Sequence, residues 1–289
     1  MLLIDGTNTL IRLRSAAHPS ANLHLMFMRS LIKLCKQFDD WHVLVAWDIS
    51  PSAYRLELHP SYKCYAYDHF EPYWWQQAKR GLLTELHERV LPCAGVTSVV
   101  VDNVEADDII ATACAHYHEL DKVIVSTDRD YLQLISDKVS VYEPTKDELI
   151  DERVLMERYS AADVAMAAKL ALVEKCVLGD ISDNIAGIAG IGAVKVKRIL
   201  EGYKTNQFHP EDHALLKDNQ DKILFNRSLI SLAVLPECYK GAILARLERA
   251  VSVAARLADD GDVVGEVVRM YGLEAVKDGM RRLRDWDGV

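Results

Sequence analysis

The sequence predicts an α/β protein, a parallel sheet flanked by helices, followed by an all-helical region. Three observations carry that reading. Short apolar runs alternate with segments of helical periodicity up to about residue 150. From Asp151 onward only helical patterning remains. The apolar runs end in aspartates, which sets acids along the carboxyl edge of the sheet, where such folds bind ligands.

Taken in order, residues 1–4 read as a short buried strand ending at Asp5-Gly6-Thr7-Asn8. Residues 21–38 read as a helix, with Leu23, Phe27, Leu31, Leu34 and Phe38 at three-to-four spacing. Val43-Leu44-Val45-Ala46-Trp47 is the next strand and ends at Asp48. An aromatic, irregular stretch runs from Tyr62 to Trp75, followed by a helix over 76–90. A strand over 97–101 leads into a helix opening at Glu105. A fourth strand, 122–126, ends at Thr127-Asp128-Arg129-Asp130; a short helix (131–135) and a fifth strand (139–142) follow. Helices are expected at 151–159, 161–178, 193–201, about 219–234, 240–258 and from about 262. The change of element type divides the chain into domains at 1–175 and 176–289. No flexible linker separates them, so they should pack closely.

Of the 289 residues, 50% are hydrophobic and 27% charged, as in soluble globular proteins. No apolar run approaches the ~18 residues of a membrane span, and Met1-Leu2-Leu3-Ile4-Asp5 lacks the basic flank of a signal peptide. The expectation is an intracellular protein. Cys35, Cys64, Cys93, Cys114, Cys176 and Cys238 form no C-x-x-C pair, which argues against zinc and for reduced thiols. The net charge of −9 discourages a nucleic-acid partner unless the acids are local.

They are local. Val104-Glu105-Ala106-Asp107-Asp108-Ile109-Ile110 brings three acids to a strand-to-helix junction. Helix capping accounts for one or two acids, at roughly 0.3–1 kcal/mol each. Asp5, Asp48, Asp128 and Asp130 arrive at the same sheet edge, and two like charges 4 Å apart repel by about 4 kcal/mol at an effective dielectric of about 20. Bound cations relieve that repulsion, and an all-oxygen donor set selects hard ions, Mg²⁺ or Mn²⁺.

A second constellation follows. Leu178-Gly179-Asp180-Ile181-Ser182-Asp183-Asn184 runs into a loop carrying Gly187, Gly190 and Gly192, and then into a helix with Lys195, Lys197 and Arg198. Glycines permit tight turns and close backbone approach, and N–H groups at a helix start accept a phosphate. This is the make-up of a helix-hairpin-helix that grips a nucleic-acid backbone without reading bases. Asp180 and Asp183 add two acids beside it. The nine acids match the net charge of −9, so the rest of the chain is formally neutral and compatible with DNA.

These stretches, with Ser126 to Ile135, and with Tyr54-Arg55 and His59-Pro60-Ser61-Tyr62-Lys63, occur in the order found in the flap endonuclease/5′-nuclease family, which the chain resembles over residues 1–202. It is especially similar to small phage and bacterial 5′-nucleases without a fused polymerase. The resemblance implies a PIN-like nuclease domain, a helical arch (about 62–80) over the active site and a helix-three-turn-helix clamp. It implies that Asp5, Asp48, Glu105, Asp107 and Asp108 hold one metal, and that Asp128, Asp130, Asp180 and Asp183 hold or orient a second. Lys63 and Arg55, at the arch base, would steer the scissile phosphate. The reaction would be two-metal hydrolysis near a 5′ end, flap or nick, on DNA or an RNA–DNA hybrid, in replication or repair. A monomer in the cytoplasm of a bacterial or phage-infected cell is implied, with a polymerase or single-strand-binding protein in trans. The hairpin is a candidate K⁺ site.

The sequence departs from the family at Ala66, where Arg is usual, in an arch carrying Asp68 and Glu71, and at Ala186 and Ala189, where Pro is frequent. Most aromatics of the Tyr65–Trp75 run should pack the arch, with one or two stacking on an unpaired base at about 1–3 kcal/mol per base. The alternatives are a catalytically weak structure-specific DNA-binding protein, a PIN-type ribonuclease or RNase H-like 5′ nuclease, and a Mg²⁺-dependent phosphatase. The first predicts missing acids. The ribonuclease and the phosphatase give no reason for the hairpin. Residues 203–289 carry no identifiable chemistry.

Overall fold

The computed structural model describes residues 1–18, 20–64 and 73–285. The departures at Ala66, Asp68 and Glu71 lie outside the described residues, as do the side chains of the Tyr65–Trp75 aromatic run.

Strands β1 (Leu2–Asp5), β2 (Val43–Trp47), β3 (Thr97–Val100), β4 (Lys122–Val125) and β5 (Val139–Glu143) pair in parallel in the order β3-β2-β1-β4-β5. A sixth strand, β6 (Glu148–Ile150), joins β5 antiparallel. The sheet is therefore mixed rather than purely parallel. Three residues are too few for a period-2 pattern to betray a strand. The parallel strands read as unbroken apolar runs because both faces are covered. Leu2 and Ile4 join one core cluster; Met1 and Leu3 join the other.

Helices cover both faces. On one side lie α1 (Gly6–Ala16), α2 (Leu23–Phe38) and α4 (Tyr73–Glu85). The short α3 (Ala53–Leu58) follows β2 and is capped by Ser52. Helix α4 runs on through a π-helical turn (Leu86–Val90) and a last α turn (Leu91–Cys93) containing Pro92, whose missing N–H breaks the regular bonding register. Helix α1 is not apparent from periodicity. It follows β1 without a break, and its first turn, Gly6-Thr7-Asn8-Thr9, is polar. On the other side lie α5 (Ala106–His116), α6 (Glu152–Tyr159) and α7 (Val164–Leu178). The segment after β4 is a 3₁₀ helix, Arg129–Leu134.

A two-stranded hairpin, β7 (Gly179–Asp180) and β8 (Ile185–Ala186), links α7 to α8 (Ala193–Thr205). Then come α9 (Pro210–Asp218), α10 (Gln220–Ile230), α11 (Glu237–Ala258), α12 (Gly261–Met270) and α13 (Lys277–Arg284). The helix expected over 219–234 is α10 plus a 3₁₀ turn, Leu232–Val234. The last three helices return to the sheet. Ile243 and Leu247 sit in one core cluster; Val267, Val268, Met280 and Leu283 sit in the other. Among the described residues, no helix is long and apolar enough to cross a membrane.

The chain leaves β1 toward β2 and β3 on one side, and builds β4 to β6 on the other. The switch point lies between β1 and β4, so the loops after these two strands flank the crevice where open α/β sheets take ligands.

Candidate metal centre

Asp5 ends β1 and caps α1, accepting from the Asn8 N–H at 2.9 Å. Its other oxygen accepts from Ser126 Oγ (3.0 Å) and Tyr131 Oη (3.2 Å), groups that follow β4. Gly6 is required here, because a Cβ would lie 2.7 Å from the Trp47 ring. Asn8 and Thr127 bond reciprocally across the crevice (Nδ2 to Oγ1 2.8 Å, N–H to Oδ1 3.2 Å). Burial pushes the Asp5 carboxyl up to about 6; Asp128 adds repulsion while the Asn8 N–H opposes it. Asp48, just past β2, accepts from Ala106 N–H at 2.5 Å, and its own N–H donates to Thr7 Oγ1 (2.9 Å). Burial, then the charge of Asp5, pushes it up to about 7.

Glu105 and Asp108 are 2% and 1% exposed. Arg55, itself 3% exposed, explains how both are tolerated. Its Nη1 and Nη2 donate to Asp108 at 2.6 and 2.9 Å, Nη1 also to Glu105 at 2.9 Å, and Nε to the Leu229 carbonyl at 2.8 Å. Burial works against the guanidinium charge, but Asp107, Asp108 and Glu105 hold its pKa well above the usual value. Arg55 is thus buried and bonded to the acids, where the expectation had it steering a phosphate. Lys63 stays partly open: its ammonium donates to Glu105 Oε1 at 2.7 Å and lies 3.9 Å from Asp183. The single Tyr62 hydroxyl proton lies between Glu105 and Asp183, each within donating reach (3.0 and 3.1 Å).

Carboxylate oxygens of Glu105, Asp107 and Asp108 lie within 4.8 Å of one another, and so do those of Asp130, Asp180 and Asp183. The expected first set thus has three members in one tight group, with Asp5 and Asp48 alongside. In the second set Asp128 is outside this tight group; it is exposed and caps the 3₁₀ helix through a bond from Asp130 N–H (2.8 Å), near enough for its charge to act on Asp5 and Asp130. Burial, then Asp128, pushes Asp130 up to about 8, and burial raises Asp183 to about 6. Asp180 is different. Burial would raise it, but bonds from Lys175 (2.7 Å) and Ser182 hold it below the usual range. Lys175 also pairs with Asp130 Oδ1, which accepts no directional hydrogen bond. The acids crowd until burial and repulsion favour protonation, and one buried oxygen has only an ion pair for company. These features fit hard divalent cations.

Sequence reading missed Lys175, Tyr62, Tyr131 and Ser126. Lys175 carries a faint signal, since it lies one helical turn plus a cap before Asp180. Tyr62 stands in the motif that ends at Lys63 and Tyr131 in the stretch after β4, but the pattern assigns neither a role at the site.

The hairpin abuts this centre. Gly179 has φ +76°, and its Cβ would meet the Gly187 N–H at 2.3 Å; a Cβ on Gly187 would lie 2.1 Å from the Leu178 carbonyl. Gly190 has φ +78°. Gly192 caps α8 without a side chain, leaving the first-turn N–H groups without a side-chain cap. Lys197 is exposed and Lys195 half-buried. Arg198 grips the buried Asp212 of α9 with its fork at 2.5 and 2.7 Å and so ties α8 to α9. Lys222 and Asn226 of α10 donate to the Gly187 and Ala186 carbonyls (2.7 and 3.0 Å).

The family described as 5′-3′ exonuclease, N-terminal resolvase-like domain, matches residues 1–160. The chain is 28% identical over 236 residues to a 5′-3′ exonuclease of Bacillus subtilis (77% of each chain). It is 29% identical over 216 residues to the flap endonuclease Xni of Shewanella denitrificans (71% of this chain, 78% of the relative). In structure it resembles the bacteriophage T5 D15 flap endonuclease, solved as a pseudo-enzyme-product complex with DNA and metal ions. The TM-score is 0.66 at 22% identity, over 90% of this chain and 99% of that one, a likeness of fold.

Proposed function

The chain belongs to the 5′-3′ exonuclease family, and from that premise we infer that it is a structure-specific 5′ nuclease hydrolysing DNA phosphodiester bonds with divalent metal ions. One observation carries the reading. Carboxylates from five separate stretches, those of Asp5, Asp48, Asp108, Asp130 and Asp183, converge on one centre.

We assign the ions as two Mg²⁺, with Mn²⁺ able to substitute, because every donor is an oxygen. Asp5, Asp48, Glu105 and Asp107 would hold the first; Asp108, both of whose oxygens accept from Arg55, would join only by sharing one. Asp128, Asp130, Asp180 and Asp183 would hold or orient the second. Bound there, the ions would supply Lewis acidity and neutralise the charge of the acids and of the phosphodiester. Lys63, kept protonated despite burial by Glu105 and Asp183, is the cation able to turn toward a phosphate oxygen and balance developing charge. Lys175 screens the Asp130–Asp180 pair. Arg55 fixes the angle at which Glu105 and Asp108 leave α5. K⁺ at the hairpin completes the proposed ions, since the carbonyls of Ala186 and Gly187, which accept from Asn226 and Lys222, each keep a second lone pair.

The duplex partner would lie with its backbone against Gly187, Gly190 and Gly192 and the start of α8, with Lys195 and Lys197 meeting phosphates without reading bases. We assign residues 1–175 to the nuclease domain and the clamp to the region from 176, with α11 to α13 packed back on the nuclease body. The proposed setting is a monomer in the cytoplasm of a bacterial or phage-infected cell. It would process 5′-ended, flapped or nicked DNA, RNA–DNA hybrids included, for replication or repair, with a polymerase or single-strand-binding protein acting in trans.

The test is product mapping on 5′- and 3′-labelled flap, nick, blunt and hybrid duplexes. Mg²⁺-dependent cuts near the 5′ end that leave a 5′-phosphate are expected, abolished by EDTA and by Asp107→Ala. Cutting that persists in EDTA, or none on any substrate, overturns the assignment.

A further inference from the structure

Two residues where the acid groups meet the hairpin have left-handed backbones although neither is glycine: Lys63 (φ +53°) and, in the turn of the hairpin, Asn184 (φ +59°). They face each other through a dense set of bonds. The Lys63 N–H donates to the Asp183 carbonyl at 3.0 Å. The Asn184 amide donates to the Ser61 carbonyl at 2.9 Å and approaches Cys64 Sγ at 3.3 Å, so it grips the turn on both sides of Lys63. The Asn184 carbonyl bonds His59 Nε2 at 3.1 Å. Residues 183–184 therefore hold the 59–64 turn at several positions, across 120 to 125 residues of chain. On its far side Asn184 leads directly into β8, whose Ile185 pairs with Asp180, and Gly187 lies three residues on.

A left-handed lysine is unfavourable alone and persists only where its surroundings over-determine it. Here the surroundings are the hairpin. Its backbone fixes the Lys63 backbone, while Glu105 fixes the Lys63 ammonium. A shift of the hairpin on seating a duplex would be felt at Lys63 through this one clasp.

We propose that Asn184 is a positioning residue, coupling the DNA-gripping hairpin to the Lys63 ammonium. The proposal rests on the nuclease reading above and deepens it. Asparagine suits the role because it adopts the left-handed conformation more readily than most residues while offering an amide donor.

The experiment compares wild type, Asn184→Gly, Lys63→Ala and the double variant on a 5′-flapped duplex. Binding is measured in Ca²⁺, and single-turnover cleavage in Mg²⁺ at saturating enzyme. Glycine keeps the left-handed turn, and its melting midpoint and duplex affinity report that the variant has folded. Asn184→Gly is expected to bind within about twofold of wild type yet cleave roughly ten- to a hundredfold more slowly, the scale of a misplaced catalytic group. The double variant is expected to be no slower than Lys63→Ala, because the amide acts through that ammonium. Wild-type cleavage by Asn184→Gly overturns the inference, as do multiplicative losses in the double variant, a normal Lys63→Ala, or a loss confined to binding. Failure of wild type to cleave would instead overturn the nuclease reading.

Discussion

Arg55 and Lys63 stand eight residues apart in one motif, and the motif alone suggests the same job for both. Their environments separate them. Lys63 keeps a side chain 25% exposed, whereas Arg55 is 3% exposed and bonded to Glu105, Asp108 and a backbone carbonyl. Removing one partner of a buried ion network leaves uncompensated charge, worth about 3–5 kcal/mol. Arg55→Ala should therefore lower urea stability by that amount and Lys63→Ala by far less. Equal, small losses would put Arg55 back in the open pocket. The buried acids give a second prediction. Asp5, Asp48, Asp130 and Asp183 titrate near 6, 7, 8 and 6 in the folded state against 3.8 in the unfolded one. The folded state thus holds extra protons between about pH 4 and 8, and the metal-free protein loses stability as pH rises through that window. Its melting temperature should fall from pH 5 to pH 8, and Mg²⁺ should raise it more at pH 8. A melting temperature that climbs with pH, or an equal Mg²⁺ effect at both values, contradicts the repulsion.

Among the elements, the hairpin joins the most legible part of the sequence to the least. Its glycines announce a tight turn, and the structure gives Gly179 and Gly187 their reason in contacts a Cβ could not make. The residues that brace it, Lys222 and Asn226, lie 35 and 40 positions downstream in a helix with no distinctive pattern. Lys175 was illegible for the same reason, and Tyr62, though visible in the motif, gave no sign of its bonds: their meaning comes from partners far along the chain or across a turn. Local patterns record backbone demands well; a bond between remote side chains leaves no local trace. Gly187→Ala should abolish duplex binding, because its Cβ would lie 2.1 Å from the Leu178 carbonyl. Lys195→Ala should weaken binding about equally for all sequences and reduce the salt slope by about 1. An unchanged slope would move the phosphate contact off α8, and a normal affinity for Gly187→Ala would deny the close approach.

For the whole molecule, alternating strands and helices were readable because each strand is an unbroken apolar run, and the acids at the strand ends marked the site's edge. The division expected at residue 175 rests on the change of element type alone. It falls inside α7, and α11 to α13 return to fill both core clusters with Ile243, Leu247, Val268 and Met280. Amphipathic periodicity says that a helix is covered, not by what. A chain ending at residue 236 should consequently lose cooperative unfolding by circular dichroism; a truncated protein that melts sharply would make α11 to α13 dispensable. Above this stands the joining of remote carboxylates into one cation-binding pocket, and equilibrium Mn²⁺ binding followed by electron paramagnetic resonance tests it most directly. Two tightly bound ions per chain are predicted, with one lost in Asp107→Ala and the other in Asp130→Ala; no stoichiometric binding, or two ions retained in both variants, would contradict it.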